Sequence, residues 1–260
     1  MSKSEIDASE APLIEHLIEL RTRLIWCVVG FILAFIVSFY FSSDIFKILV
    51  LPFQWGTGKD PQLISTELLG FFIVKLKIAF FGGLFIGFPV IATQVYRFVA
   101  PGLYTNEKNA FRPYLIATPV FFILGACLVY FFLLPVAIKF FYSLVADINV
   151  DLLPDVKAYL DFVMMLILAF GLCFQLPVIL TLLGQIGILS YDQLKKGRKF
   201  AIVGVFIVAA VLTPPDPISQ IAMAVPLMAL YELSVQAVRL IEFRRKRREA
   251  AEDAADEASA

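Results

Sequence analysis

Eighteen consecutive residues, Leu24 to Phe41, carry no charge, and apolar runs of this kind recur along the chain. At 1.5 Å per residue such a run approaches the hydrocarbon core of a bilayer, about 30 Å thick. No water is present there to bond an exposed amide, so each run must close its own hydrogen bonds as a helix. Composition points the same way: 60% of residues are apolar, 17% are charged, and the mean hydropathy is +0.85, outside the range of a soluble domain. The formal net charge of zero conceals segregation, with cations gathered between particular runs and an acidic, Ala-rich tail at the end. The bulk charge therefore points to no nucleic acid. Cys27, Cys127 and Cys173 each lie inside an apolar run, and this odd, dispersed set reads as small hydrophobes rather than as a disulfide framework or a metal site.

Residues 1–11 are polar and lack the pattern of a secretory signal. Pro12 then opens a segment in which Leu13, Leu17, Leu20 and Leu24 recur at helical spacing, with Glu15, Glu19 and Arg23 stacked on another face. This predicts an amphipathic surface helix, residues 1–23, feeding into the first span. Glu19 has an intrahelical partner available in Arg23, and His16 reads as a polar-face residue. Residues 42–67 read as an external loop with an interfacial helix around Ile45 to Phe53 and a structural proline, Pro52. In the second span Lys75 and Lys77 are placed to snorkel at one interface while Arg97, about 30 Å further on, anchors the other. The third span, Arg112 to Tyr142, contains Pro119 and Pro135, and the fourth, Val156 to Leu183, contains Gln175. Lys195, Lys196, Arg198 and Lys199 read as a basic loop. Phe200 to Leu212 and Ile218 to Leu240, joined by a Pro-rich turn, read as two last spans, short ones, bounding a thinned region of membrane.

Arg21, Arg23, Arg97, Lys108, Arg112, the 195–199 cluster and the cations from Arg239 to Arg248 flank the ends of alternate spans. By the positive-inside rule these ends face the cytoplasm. The expected fold is thus an all-α integral membrane protein with six transmembrane helices (residues 24–240), both termini cytoplasmic, and a charged, disordered tail at 241–260. Glu19 and Glu107 fall on the same cytoplasmic face. Between the second and third spans, a stretch stiffened by Pro101 carries Phe98, Tyr104 and Glu107, residues that a plain turn does not require.

Four stretches in order, His16-Leu-Ile-Glu-Leu-Arg-Thr-Arg-Leu24, Phe98-Val-Ala-Pro-Gly-Leu-Tyr-Thr-Asn-Glu-Lys108, Phe174-Gln-Leu-Pro177 and Leu212-Thr-Pro-Pro-Asp-Pro-Ile-Ser-Gln220, resemble the signature stretches of the TatC family. TatC is the multi-span subunit of the bacterial twin-arginine protein translocase. The resemblance covers Pro12 to about Arg239. It implies a multi-pass protein of the bacterial cytoplasmic (inner) membrane, a receptor and scaffold rather than an enzyme, with no cofactor and no metal. Its implied partners are the single-span subunits TatA and TatB, the Arg-Arg signal peptides of folded precursors, membrane lipid, and further copies of itself. Carried over by motif, Glu107 is the main carboxylate for the signal peptide, Glu19 the second, Phe98 an apolar neighbour, and Arg21 a clamp on one carboxylate. The chemistry suits the ligand, because a guanidinium offers a fixed fork of donors that a carboxylate accepts bidentately and an ammonium does not. The resemblance assigns Thr213 and Gln220 to TatA/TatB contacts, with Asp216 shaping their turn; Glu232 either joins this polar line or pairs with Arg239. Gln175 departs from the family pattern, in which many members have a glutamate. No titratable proton is available there, though an amide still binds a partner or water.

A solute transporter would call for intramembrane carboxylates and an inverted repeat, and a membrane enzyme for a nucleotide, zinc or triad motif. The central spans are nearly uncharged, and the single histidine limits acid–base chemistry. Solute uptake by the protein alone in vesicles would distinguish a transporter from a receptor that binds precursor without turnover.

Overall fold

The computed structural model describes residues 3–58, 62–99, 108–145, 153–212 and 217–259. Nine α-helices occur among them: α1 (Lys3–Tyr40), α2 (Ser42–Thr57), α3 (Gly70–Val99), α4 (Lys108–Leu128), α5 (Leu134–Val145), α6 (Val156–Cys173), α7 (Leu176–Gln185), α8 (Tyr191–Leu212) and α9 (Pro217–Ser259). A π-helical segment, Val129–Leu133, joins α4 to α5. The one extended contact among the described residues is a bridge between Ile64 and Asp155. Among the described residues, five helical stretches are long and apolar enough to cross a membrane: Leu17–Tyr40, Gly70–Phe98, Pro113–Val145, Val156–Gln185 and Gln220–Arg247.

Several local expectations change in detail. The amphipathic segment and the first span form one uninterrupted helix, α1, with Pro12 inside its bounds. The basic stretch 195–199 is not a loop but the early turns of α8. Its start is fixed by a capping box: the Gln193 amide donates to Ser190 Oγ (3.3 Å), and the Ser190 amide donates to Gln193 Oε1 (2.9 Å). The helix carrying Phe200 to Leu212 is therefore 22 residues long, and α9 has 43, so neither is short as a helix, while the apolar run of α8 remains Phe200 to Leu212. Helix α9 also takes in the tail set down above as disordered, where alternating Ala and charged residues favour helix.

Two breaks have proline at their root. Pro135 brings no amide, and its ring would collide with the carbonyl four residues back. The helix widens just before it, the Leu134 amide donating to the Val129 carbonyl across a π turn. In the fourth span Gln175 and Pro177 begin a new helix, α7, after α6 ends at Cys173.

The chain divides into two compact units. The first comprises Met1–Leu51, Gln62–Pro119 and Leu153–Met164. Its main contact is α1 against α3, which run antiparallel with very small residues between them. A Cβ placed on Gly83 would lie 3.0 Å from Phe35 Cα, and one on Gly82 would lie 2.6 Å from Ser38 Oγ. Further along, a Cβ on Gly30 would meet Val90 Cγ1 at 2.9 Å. Such small residues let helices approach where lipid supplies no hydrophobic drive. At one end of this unit Asp155 caps α6. Its Oδ1 accepts from the amides of Lys157 (2.9 Å) and Ala158 (3.2 Å), and its Oδ2 accepts from the Thr66 hydroxyl (3.0 Å) and amide (3.3 Å). Lys157 donates to both oxygens of Glu67 (2.9 and 3.1 Å). Lys77 does not simply snorkel: its ammonium donates to both oxygens of Asp161 (2.7 and 2.6 Å), which satisfies two charges within apolar helices.

The second unit comprises Pro52–Pro61, Val120–Leu152 and Met165–Ala260. Here α4 and α6 interlock through reciprocal Phe–Gly contacts. A Cβ on Gly171 would lie 2.6 Å from the Phe122 ring, and one on Gly125 would lie 2.7 Å from the Phe170 carbonyl oxygen. Trp55 stacks on Phe131 of the π segment with centroids 5.6 Å apart, and Pro52 is buried inside α2. Helix α9 packs on α7 and α8, with Val235 and Val238 fully buried beside Leu194.

Gly125→Ala is expected to destabilise the protein by about 1–3 kcal/mol, because the Phe170 backbone cannot step aside. Gly204→Ala should be neutral or slightly stabilising, since nothing lies within 4 Å of a Cβ there. Thermal unfolding of the two variants in detergent checks both. The amide donor of Ala158 and the hydroxyl of Thr66 hold the Asp155 carboxyl below its ordinary value. A carboxyl so depressed stabilises the fold above its unfolded pKa and loses that effect as the pH falls through its folded one. Asp155→Ala should therefore unfold more easily than the wild type at pH 7, with the gap closing as the pH falls below the ordinary carboxylate range.

Candidate functional site

The antiparallel register of α1 and α3 brings the start of one span to the end of the other. Glu19 and Arg23 sit one turn apart on α1, and Arg23 Nη2 donates to Glu19 Oε1 at 2.8 Å. Arg23 Nη1 reaches across to Gln94 Oε1 on α3 at 3.4 Å. Both charged side chains are about 30% exposed, partly shielded yet open to a ligand. Phe98, half-buried, follows Gln94 by one turn on α3, and the register sets it level with Glu19. Glu19 and Phe98 are thus brought to one end of the same helix pair. Arg21 is exposed and pairs with no described carboxylate; Arg23 is the arginine that holds Glu19. Glu107 and Pro101 lie outside the described residues.

Glu19–Arg23 spacing was readable as a helical pair. The part played by Gln94 was not, because it depends on a contact across 71 positions. The chemistry shown here is that of a carboxylate accepting from a guanidinium whose other arm is held by an amide oxygen.

A second polar cluster lies between α8 and α9. Glu232 pairs with Arg198 at 2.5 Å and also accepts from Gln236 at 3.0 Å. Its partner is therefore Arg198 rather than Arg239, which instead lies 5.5 Å from the Tyr191 ring centroid. The antiparallel pairing of α8 and α9 explains this, since it sets Glu232 beside the second turn of α8, while the Leu194 carbonyl accepts from the Tyr231 hydroxyl (2.7 Å). The Tyr191 amide donates to Glu242 Oε1 at 2.7 Å, which ties the start of α8 to α9 beyond the expected end of the last span. Gln220 Nε2 donates to the Phe206 carbonyl of α8 at 3.4 Å, so this amide is engaged within the helix pair. Thr213 and Asp216 lie outside the described residues. Gln175 is buried at the α6–α7 break, with Nε2 donating to the Gly171 carbonyl at 3.3 Å.

The family described as "TatC: Sec-independent protein translocase protein (TatC)" matches residues 15–226. The chain is 44% identical over 245 residues to the Sec-independent protein translocase protein TatC of Magnetococcus marinus, covering 94% of this chain and 90% of that protein. It is 37% identical over 224 residues to the protein of the same name from Escherichia coli (strain K12), covering 86% of each. The crystal structure of a twin arginine translocase receptor, TatC, superposes with a TM-score of 0.77 at 36% identity, covering 87% of this chain and 99% of that one.

A double-mutant cycle of Arg198→Met and Glu232→Gln, read by thermal unfolding in detergent, should give a coupling of up to about 1 kcal/mol, as for half-exposed ion pairs. The same cycle on Arg239→Met and Glu232→Gln should give none.

Proposed function

Because this chain belongs to the TatC family, a component of the Sec-independent protein translocase, we propose that it is the receptor and scaffold of a bacterial twin-arginine translocase. In this reading it resides in the cytoplasmic membrane with six spans, α8 supplying the sixth, and with both termini in the cytoplasm. Its cytoplasmic face binds the Arg-Arg signal peptide of folded precursors, and its last two helices gather the single-span partners TatA and TatB. The observation that carries this reading is the half-shielded Glu19–Arg23–Gln94 cluster, set level with Phe98 just ahead of the stretch that bears Glu107.

Two arginines require two carboxylate acceptors, and Glu107 and Glu19 supply them. Phe98 offers an apolar surface beside them for the apolar residues of the peptide. Glu19 reaches its arginine by exchange with Arg23, whose liberated guanidinium Gln94 continues to hold, so the face stays ordered with or without the peptide. An ammonium in place of either guanidinium lacks the planar fork and binds more weakly. For TatA and TatB, Thr213 and Asp216 offer hydrogen-bonding groups to a polar residue of a partner helix that would otherwise stand unsatisfied in lipid, and Gln220 joins them by exchanging its bond to the Phe206 carbonyl. Gln175 and Glu232 already have intramolecular partners, so they serve this face by shaping it.

Photo-crosslinking from position 107 in isolated membranes, with an Arg-Arg precursor and its Lys-Lys counterpart, tests the assignment. A crosslink to Arg-Arg alone is expected. Glu107→Ala should weaken docking by about 10- to 100-fold, the worth of one charge-assisted hydrogen bond. Glu107→Gln should lose nearly as much and Phe98→Ala less. Undiminished docking by Glu107→Ala at equal membrane abundance would overturn the proposal.

A further inference from the structure

A cavity of about 320 Å³ opens between α8 and α9, walled by Ile202 and Val205 of α8 and by Met228 and Ala229 of α9. Arg198 and Glu232 close it at one end and neutralise each other. Lys195 and Lys199 flank Arg198 on the same side of α8, both exposed. Their ammonium groups lie over the rings of Tyr191 (5.9 Å) and Phe200 (5.1 Å), and neither makes an ion pair among the described residues. Of the nearby acids, Glu232 is taken by Arg198, and Glu242 accepts from the Tyr191 amide. Asp192 is exposed in the first turn of α8. Arg239 adds a further positive charge over Tyr191. One end of the groove is therefore polar and internally neutral, its remaining lining is apolar, and the cations without an ion pair, Lys195 and Lys199, stand outside it on either side of Arg198.

That sequence of surfaces matches the two parts of a lipid. With α8 crossing a membrane by its apolar run Phe200 to Leu212, Tyr191 and the cations beside it would fall at the interface, where rings and headgroups collect. A helix is about 10 Å across and does not enter a cavity of this volume, whereas an acyl chain does. A soluble anion would gain nothing from the apolar walls. A zwitterionic lipid would bring its own cation to the lysines.

We propose that this groove holds one anionic phospholipid, one acyl chain lying along Ile202, Val205 and Met228 and its headgroup drawn to the cations Lys195 and Lys199 outside the groove. The assignment requires α8 and α9 to lie in a membrane, but it is independent of signal-peptide binding.

Native mass spectrometry of the full chain, released from detergent micelles supplied with dioleoyl phosphatidylglycerol or dioleoyl phosphatidylcholine, tests it. Phosphatidylglycerol should remain bound at collision energies that strip phosphatidylcholine. Lys195→Gln with Lys199→Gln should reduce its retention on the order of tenfold or more, as expected for two cations facing an anionic headgroup. Lys195→Arg with Lys199→Arg should restore it, and Ala229→Phe, which fills the groove, should lower it without changing the charge. Inorganic phosphate added in excess should not displace it. Equal retention of the two lipids, unchanged retention in the Gln variant, displacement by phosphate, or a bound polypeptide in place of the lipid would each overturn the proposal. Loss of precursor docking in the Glu107 variants leaves this outcome unaffected, so the two readings fail separately.

Discussion

A peptide group inside hydrocarbon has no water to turn to, so its amide and carbonyl must find each other along the chain. That constraint organises everything else in this protein. It makes the long runs helices, and it confines irregular backbone to places where another group takes over the lost bond. The two interior breaks obey it: at Pro135 the helix widens into a π turn so that the Leu134 amide still finds the Val129 carbonyl. At Gln175 the amide side chain reaches back to the Gly171 carbonyl just before a new helix begins.

With the backbone closed, the helices still have to choose neighbours, and in lipid apolarity alone does not discriminate between them. Surface shape does. Within the first unit the near-touching backbones at Phe35 and Gly83 set one register for α1 on α3. Within the second, Phe122 on Gly171 and Phe174 on Gly125 do the same for α4 and α6. The α1–α3 register has a chemical consequence at its end, where Arg23 meets Gln94 and Glu19 comes level with Phe98. The position of the Glu19–Arg23–Gln94 cluster is thus a by-product of how closely two helices can approach several turns away.

Charges within the apolar helices follow a related rule. Lys77 with Asp161, and Arg198 with Glu232, each remove an isolated charge at the cost of holding two helices in one alignment. Lys195 and Lys199 are not neutralised in this way. They stand on α8 to either side of Arg198, outside the α8–α9 groove, over the rings of Tyr191 and Phe200, and this imbalance is what the lipid proposal rests on.

The sequence by itself determined the helical class, the Glu19–Arg23 pair and the family, because each is written in local spacing or in contiguous motifs. The capping box at Ser190 was also local, yet the run of cations after it reads as a loop until Ser190 and Gln193 are seen to bond each other's amides. Only the tertiary structure decided that Glu232 answers to Arg198 rather than Arg239, that Lys77 is held by Asp161, and that Gln94 supports Arg23. These partners are separated by 34, 84 and 71 positions. No periodicity links such residues. What joins them is the register at which two helices meet, and that depends on the shapes of both surfaces at once.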